Sequence, residues 1–302
     1  MNNHRGRIPF LALTAATLIS LLLIIINALL GLAIPFTVHF LIAFVSFMFL
    51  FVVWHAVLTK GWKRTLLMIT VSFLTAFTAE ALGVNFGLIF GKYHYTEALG
   101  FQVFGVPLLA AFAWEPIVYA SFCLTDILAP SMFQEPSNWR KRLPPYFLMS
   151  AIAALATTAW DMMIDPIAVS QGWWVWHQGG EYLPYVANGV PIQNFIGWLG
   201  VSFVINVFFR IISDGSPNYL RSLDLSIKGP ITLYSALFLT SFGVCITILK
   251  RPEVALIGLL AMGPFLAIAL TNINLIRQGL ATLLGSGWLD LEIKNGRIKA
   301  GN

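Results

Sequence analysis

Apolar residues in this chain come in long runs, each about 20 residues and nearly free of charge, and the polar residues gather in short connections between them. A run of that length crosses a hydrocarbon core about 30 Å thick at a rise of about 1.5 Å per residue. The pattern predicts eight helices: Phe10–Leu32, Thr37–Leu58, Leu66–Gly87, Phe104–Leu128, Tyr146–Asp165, Pro191–Ile212, Ile231–Leu249 and Val254–Ile276. No connection is long enough to hold a soluble domain. The expected fold is therefore all-α, a polytopic integral membrane bundle of about eight helices, with residues 1–302 as a single transmembrane domain. The first run is longer than the 7–15 residues typical of a signal-peptide core, so it is kept as a span.

Composition agrees: 58% of the 302 residues are hydrophobic and 10% are charged, against about 25% charged in a soluble domain. The basic residues then set an orientation. Eight spans put both termini on one side, and 15 of the 18 Lys and Arg fall on that side. Lys92, Lys250 and Arg251 fall on the other. By the positive-inside rule this is an N-in, C-in protein, expected in the cytoplasmic (inner) membrane of a cell. The net charge of +5 is a topology signal and implies no nucleic-acid partner. Cys123 and Cys245 lie within predicted helices as small core residues, and form neither a disulfide framework nor a zinc site.

Glu80, Glu115, Asp161 and Asp165 are acids that sit inside or at the end of these runs. A carboxylate at the bilayer centre costs roughly 2.5–3.5 kcal/mol on insertion scales, so such acids normally face a bundle interior and act there. Counting along each helix places Glu80 about 21 Å from the inner boundary, Asp161 about 22 Å, Asp165 about 28 Å, and Glu115 about 16 Å below the outer surface. Three helices thus bring acids to the outer half or middle of the core. Asp161 and Asp165 are four apart and share a helix face. Asp165 precedes Pro166, and ending its helix at the interface is an alternative role for it. Glu80 and Glu115 have the alternative of pairing with Asn or Trp N–H groups. No Lys or Arg lies in the third, fourth or fifth predicted helix to pair with any of them. Desolvated, unpaired acids of this kind are suited to donate a proton.

Two outer connections, 91–101 and 166–190, are rich in aromatics and glycine, with Trp173, Trp174 and Trp176 close together. They read either as an interfacial aromatic belt or as a lid over an apolar pocket. Several chemistries are disfavoured. His4, His39, His55, His94 and His177 are too few for a membrane di-iron oxygenase, and no phosphate-cradling or dinucleotide-binding glycine motif occurs. No metal site and no cofactor is expected. Asp161-Met-Met-Ile-Asp165 has the D-x-x-x-D spacing of intramembrane prenyltransferases, but no second Asp-rich motif accompanies it.

Several stretches carry a family resemblance: Gly91-Lys92-Tyr93-His94-Tyr95, Gly105-Val106-Pro107, Trp114-Glu115-Pro116, residues 159–166 (AWDMMIDP), Trp174-Val175-Trp176 and residues 190–198 (VPIQNFIGW). Together they resemble CruF-type carotenoid 1,2-hydratases, a group that includes bisanhydrobacterioruberin hydratases. The likeness runs over residues 78–203. It implies a carotenoid-biosynthesis lyase that adds water to the terminal C1=C2 double bond of an acyclic ψ-end isoprenoid, in a γ-carotene-like or lycopene-like substrate. The expected partners are that membrane-dissolved carotenoid, water and the lipid bilayer, with other carotenoid-pathway enzymes as possible contacts. The basic charge balance favours a bacterial host over a halophilic archaeal one.

Such a reaction needs a desolvated acid, aromatic faces or carboxylates near a tertiary cation, and an ordered water. Asp161 is the expected proton donor, with Glu115 or Asp165 as its relay and Glu80 third. Trp160, Trp174, Trp176, Tyr93, His94 and Asn194 are the expected substrate-binding residues. A carotenoid end-group cyclase would use the same cation without water. An intramembrane prenyltransferase, a proton-coupled transporter and a non-catalytic carotenoid binder are further alternatives. No inverted repeat supports the transporter.

Overall fold

A computed structural model describes residues 38–128, 139–177, 190–213 and 223–284, with a few positions between 8 and 19. The predicted helix Phe10–Leu32 lies almost wholly outside the described residues. Seven helices are described: α1 (Val38–Lys60), α2 (Trp62–Phe86), α3 (Leu108–Leu128), α4 (Trp139–Ser170), α5 (Ile192–Ile212), α6 (Leu223–Thr247) and α7 (Pro252–Leu284). Each contains a stretch long and apolar enough to cross a membrane. The protein is a multi-pass helical membrane bundle.

The helices form because nothing else satisfies a backbone in hydrocarbon. The outward faces are apolar, as lipid requires: Leu74, Leu155, Ile196, Leu260 and Leu270 are each more than half exposed. α3 is the exception. From Trp114 to Ile127 it is buried on every side, packed by α1, α2, α4, α5, α6 and α7. A helix buried all round is the axis of its bundle.

Turn chemistry sets the joints. α1 and α2 are separated by Gly61 alone, at φ 86° and ψ 155°, a region open essentially to glycine only. α2 ends at Gly87 in the left-handed conformation, with Gly87 N–H donating to the Gly83 carbonyl at 2.8 Å. Close approach decides two further positions. A Cβ on Gly83 would lie 2.8 Å from the Tyr93 ring, and one on Gly197 would lie 2.6 Å from the Phe90 ring. Both glycines let the segment after α2 sink between α2 and α5.

The structure departs from the sequence-based boundaries at several places, including α6, which begins at Leu223 and not Ile231, and α7, which ends at Leu284 and not Ile276. The fourth predicted helix does not begin at Phe104. Phe104 and Gly105 both have positive φ (51° and 77°) and form the turn of a hairpin between β2 (Gln102–Val103) and β3 (Val106–Pro107), so the helix starts at Leu108. The fifth does not end at Asp165. α4 begins at Trp139 and runs on through Pro166 to Ser170, so residues 166–170 belong to a helix and not to the outer connection. Packing against α5, α6 and α7 outweighs the local bias against helix before a proline. Finally, the described parts of the two outer connections pair with each other. β1 (Tyr93–Tyr95) pairs antiparallel with β4 (Trp174–Trp176), placing Tyr93 opposite Trp176 and Tyr95 opposite Trp174. The pairing is extended by Thr96 N–H to the Trp173 carbonyl (3.0 Å) and His177 N–H to the Lys92 carbonyl (2.8 Å). This strand pair caps one end of the bundle. The last hairpin is an ordinary one, because α6 ends at Thr247 and α7 starts at Pro252 and runs on as a full span. Arg251 there pairs with Glu253.

The opposite end is closed by charge. Arg210 Nη1 donates to Asp126, and Lys60 Nζ lies 3.9 Å from the same carboxylate. Arg210 Nη2 also donates to Thr125 Oγ1 at 2.6 Å and to the Phe122 carbonyl at 3.2 Å. Both cations lie over the Phe122 ring. The ends of α1, α3 and α5 are tied there, well away from the cap.

Candidate active site

Alternation along β1 builds the first half of the site. Tyr93 and Tyr95 point inward and are buried, whereas His94 points out. Their hydroxyls reach Glu80 on α2: Tyr93 donates to Oε2, and Tyr95 donates to the same oxygen at 2.9 Å. Trp114 Nε1 on α3 donates to Oε1 at 2.9 Å. Burial, with the Glu80 charge added, pushes both phenols well above their usual value, so they remain protonated donors. Trp114 is itself fixed by stacking on Trp198 of α5, centroids 3.8 Å apart.

The second half comes from one helix face on α4. Asp161 and Asp165, one turn apart, converge on Asn194 of α5. Asn194 Nδ2 donates to Asp161 Oδ2 at 3.0 Å and also to Asp165 Oδ2. The two carboxyl groups contact one another as well. All three residues are buried, and Asp161 Oδ1 has no partner.

Between the halves lies a cavity under the strand cap, with about 1080 Å³ of empty space including its mouth. Its walls are mostly apolar and aromatic. Tyr93 and Tyr95 line it from β1, and Trp173, Trp174 and Trp176 from the chain around β4. Trp114, Trp160 and Trp198 line it from α3, α4 and α5. Among the described residues, two carboxyl groups line it, Glu80 and Asp165, with Asn194 beside them. On α6, Thr240 and Ser241 complete the lining. A large apolar cavity with a few convergent polar groups is the usual form of a small-molecule site.

A family model described as "Carotenoid biosynthesis protein" matches residues 36–264, from the start of α1 to the middle of α7. The chain belongs to the carotenoid biosynthesis protein family. No curated protein and no solved structure matches it. A role in carotenoid biosynthesis suits an apolar cavity inside a membrane bundle, since carotenoids dissolve in the bilayer.

Within this family member, the residues singled out from sequence divide into three sets. Glu80, Asp165, Asn194, Tyr93, Trp160, Trp174 and Trp176 line the cavity. Asp161 lies behind Asp165 and reaches the cavity through Asn194 and its partner carboxyl. Glu115 and His94 stand apart. Glu115 is buried on α3 beside Ser72, with no place on the cavity wall. His94 stacks on His177 on the outside of the cap, ring centroids 4.4 Å apart.

The sequence-based alternative of a Trp N–H partner for Glu80 is met by Trp114, whereas Tyr95 was missed as a partner. The alternation Tyr-His-Tyr would have marked a short strand with both tyrosines on one face. Sequence reasoning also missed Asp126, an acid within an apolar run whose partners Lys60 and Arg210 close helices at the same end.

Proposed function

We propose that this protein hydrates the terminal C1=C2 double bond of an acyclic ψ-end carotenoid. The observation that carries the reading is the pairing of two unlike carboxyl sites across one apolar cavity. The Asp161–Asp165 pair, bridged by Asn194, lies on one side, and Glu80, saturated by three donors, on the other. Two carboxyl groups in contact in a dry site cannot both be charged, so the pair holds a proton. Asp165 delivers it, because Asp165 lines the cavity and Asp161 does not; Asp161 acts as its partner.

The proton goes to C2, where the alkene electron pair forms the new C–H bond and leaves a tertiary cation at C1. The Glu80 carboxylate and the faces of Trp160, Trp174 and Trp176 surround that charge. Cation–π contact with desolvated aromatics contributes about 2 kcal/mol or more, and general acid catalysis contributes typically 10²–10⁴-fold. Water then attacks C1. It loses a proton, directly or through Glu80, which recharges the aspartate pair. Alkene and water give a tertiary alcohol, with no change in oxidation level and no net proton consumed.

The test is product analysis in a bacterial host that makes an acyclic or monocyclic carotene and expresses this chain. A product heavier by one water supports hydration. A product of unchanged mass with a new ring moves the assignment to an end-group cyclase. Activity in membranes is expected to persist under EDTA and without oxygen; loss restored by magnesium would favour prenyl transfer.

A further inference from the structure

Most threonines in the described helices of this protein turn their hydroxyls back onto their own helix. Thr59, Thr65, Thr70, Thr157, Thr158 and Thr247 each donate to the carbonyl four residues before. Thr240 does not. It lies in α6, is 4% exposed, and lines the cavity, yet its Oγ1 has no hydrogen-bond partner. A buried hydroxyl left without a partner is costly in a dry interior unless something fills the place. The next residue, Ser241, also lines the cavity and accepts from Trp160 Nε1 at 3.0 Å. That leaves the Ser241 proton to donate. Trp174 Nε1, buried and unpaired, is a further donor in the cavity wall.

A carotene end group is pure hydrocarbon and has no use for these groups. A water molecule needs two to four polar partners to be held in an otherwise apolar site. We infer that Thr240 and Ser241 hold the water that captures the cation, and so direct the cation to hydration and away from ring closure or proton loss. The inference rests on the proposed function and adds the residues that set its outcome. Protonation from the Asp161–Asp165 pair forms the cation whether or not water is present. Only the second step, formation of the C1–O bond with loss of a proton from water, depends on the α6 hydroxyls.

Thr240→Val removes the hydroxyl and keeps the shape. Membranes carrying the full chain are incubated with an acyclic carotene in D2O, and two products are followed: the hydrated carotenoid, and carotene of unchanged composition that has taken up deuterium. Wild type is expected to yield mainly the alcohol. Thr240→Val is expected to lose at least tenfold in hydrated product per carotene protonated. Its cations return by proton loss to deuterated or double-bond-shifted carotene, or close a ring. Thr240→Ser, which restores a hydroxyl, is expected to recover hydration. The ratio does not depend on how much protein accumulates. Hydration at the wild-type ratio in Thr240→Val overturns the inference and leaves the proposed function standing. Loss of hydration and deuterium uptake together also overturns it, because the residue would then act before the cation forms. A wild-type protein that takes up deuterium and adds no water overturns the proposed function and this inference with it.

Discussion

Replacing Glu80 by Gln probes the charge on the far side of the cavity from the aspartate pair. Glu80 accepts three donors on two oxygens: the Tyr93 and Tyr95 hydroxyls on Oε2 and Trp114 Nε1–H on Oε1. The phenols are held protonated by burial, so they arrive as donors. A glutamine amide offers one acceptor oxygen and one NH2. With its oxygen toward the tyrosines, its NH2 faces the indole N–H, donor against donor. With the amide reversed, the tyrosine protons lose their acceptor. Either orientation strands at least one buried donor, which costs about 1–3 kcal/mol of stability. The same change removes the negative charge proposed to face the cation, and losing one preorganised electrostatic contact costs about 10²–10³ in rate. Thermal unfolding in detergent reads the first effect, and hydrated carotenoid per unit of inserted protein reads the second. Unchanged stability with full turnover would refute the reasoning, because it would mean that Glu80 is a neutral acid that an amide can imitate.

Four further outcomes follow from the same geometry. Asp165→Asn is expected to cost hydration at least about 10²-fold, the lower range for a general acid, and more than Asp161→Asn does; the opposite order of severity would transfer proton delivery to Asp161. Gly83→Ala places a Cβ 2.8 Å from the Tyr93 ring, so it should push Tyr93 off Glu80 and lower turnover, and unchanged turnover would show that this contact is dispensable. Asp126→Asn removes the carboxylate between Arg210 and Lys60 and should cost about 3–5 kcal/mol, as breaking a buried pair does, seen as a lower unfolding temperature with the same product; an altered product would link that end of the bundle to the chemistry. A cysteine at Gln178, which lies outside the described residues, should react with an impermeant thiol reagent from the outer side in intact inner membranes if the orientation read from the sequence holds. Labelling only after those membranes are broken would invert the orientation inferred from the 15 to 3 division of basic residues.

Much of the fold was legible in the chain because a bilayer leaves few choices. Runs of about 20 apolar residues must be helices if their backbones are to be satisfied, and seven of the eight predicted spans recur among the described residues. The misplaced ends have one local cause and one tertiary cause. Phe104 reads as a helix start by hydropathy, but the positive φ of Phe104 and Gly105 belongs to a turn. Asp165-Pro166 reads as a helix end, but the neighbours of α4 carry the helix past the proline.

For the site, the sequence by itself determined which residues were anomalous. Carboxyl groups in hydrocarbon are costly wherever they fall, so Glu80, Glu115, Asp161 and Asp165 stood out without any knowledge of packing. Only the tertiary structure decided which of them share a cavity. Helix periodicity puts Asp161 and Asp165 on one face, yet Asp165 lines the cavity and Asp161 is covered. Glu80 gains its three donors from a strand and from another helix, and Glu115, one residue after Trp114, shares none of them. Composition and spacing report what a residue costs to bury, because that cost depends on the residue and the solvent. Which groups meet depends on helix rotation and on the pairing of two distant loop segments, and those are settled by packing between elements that no local pattern records.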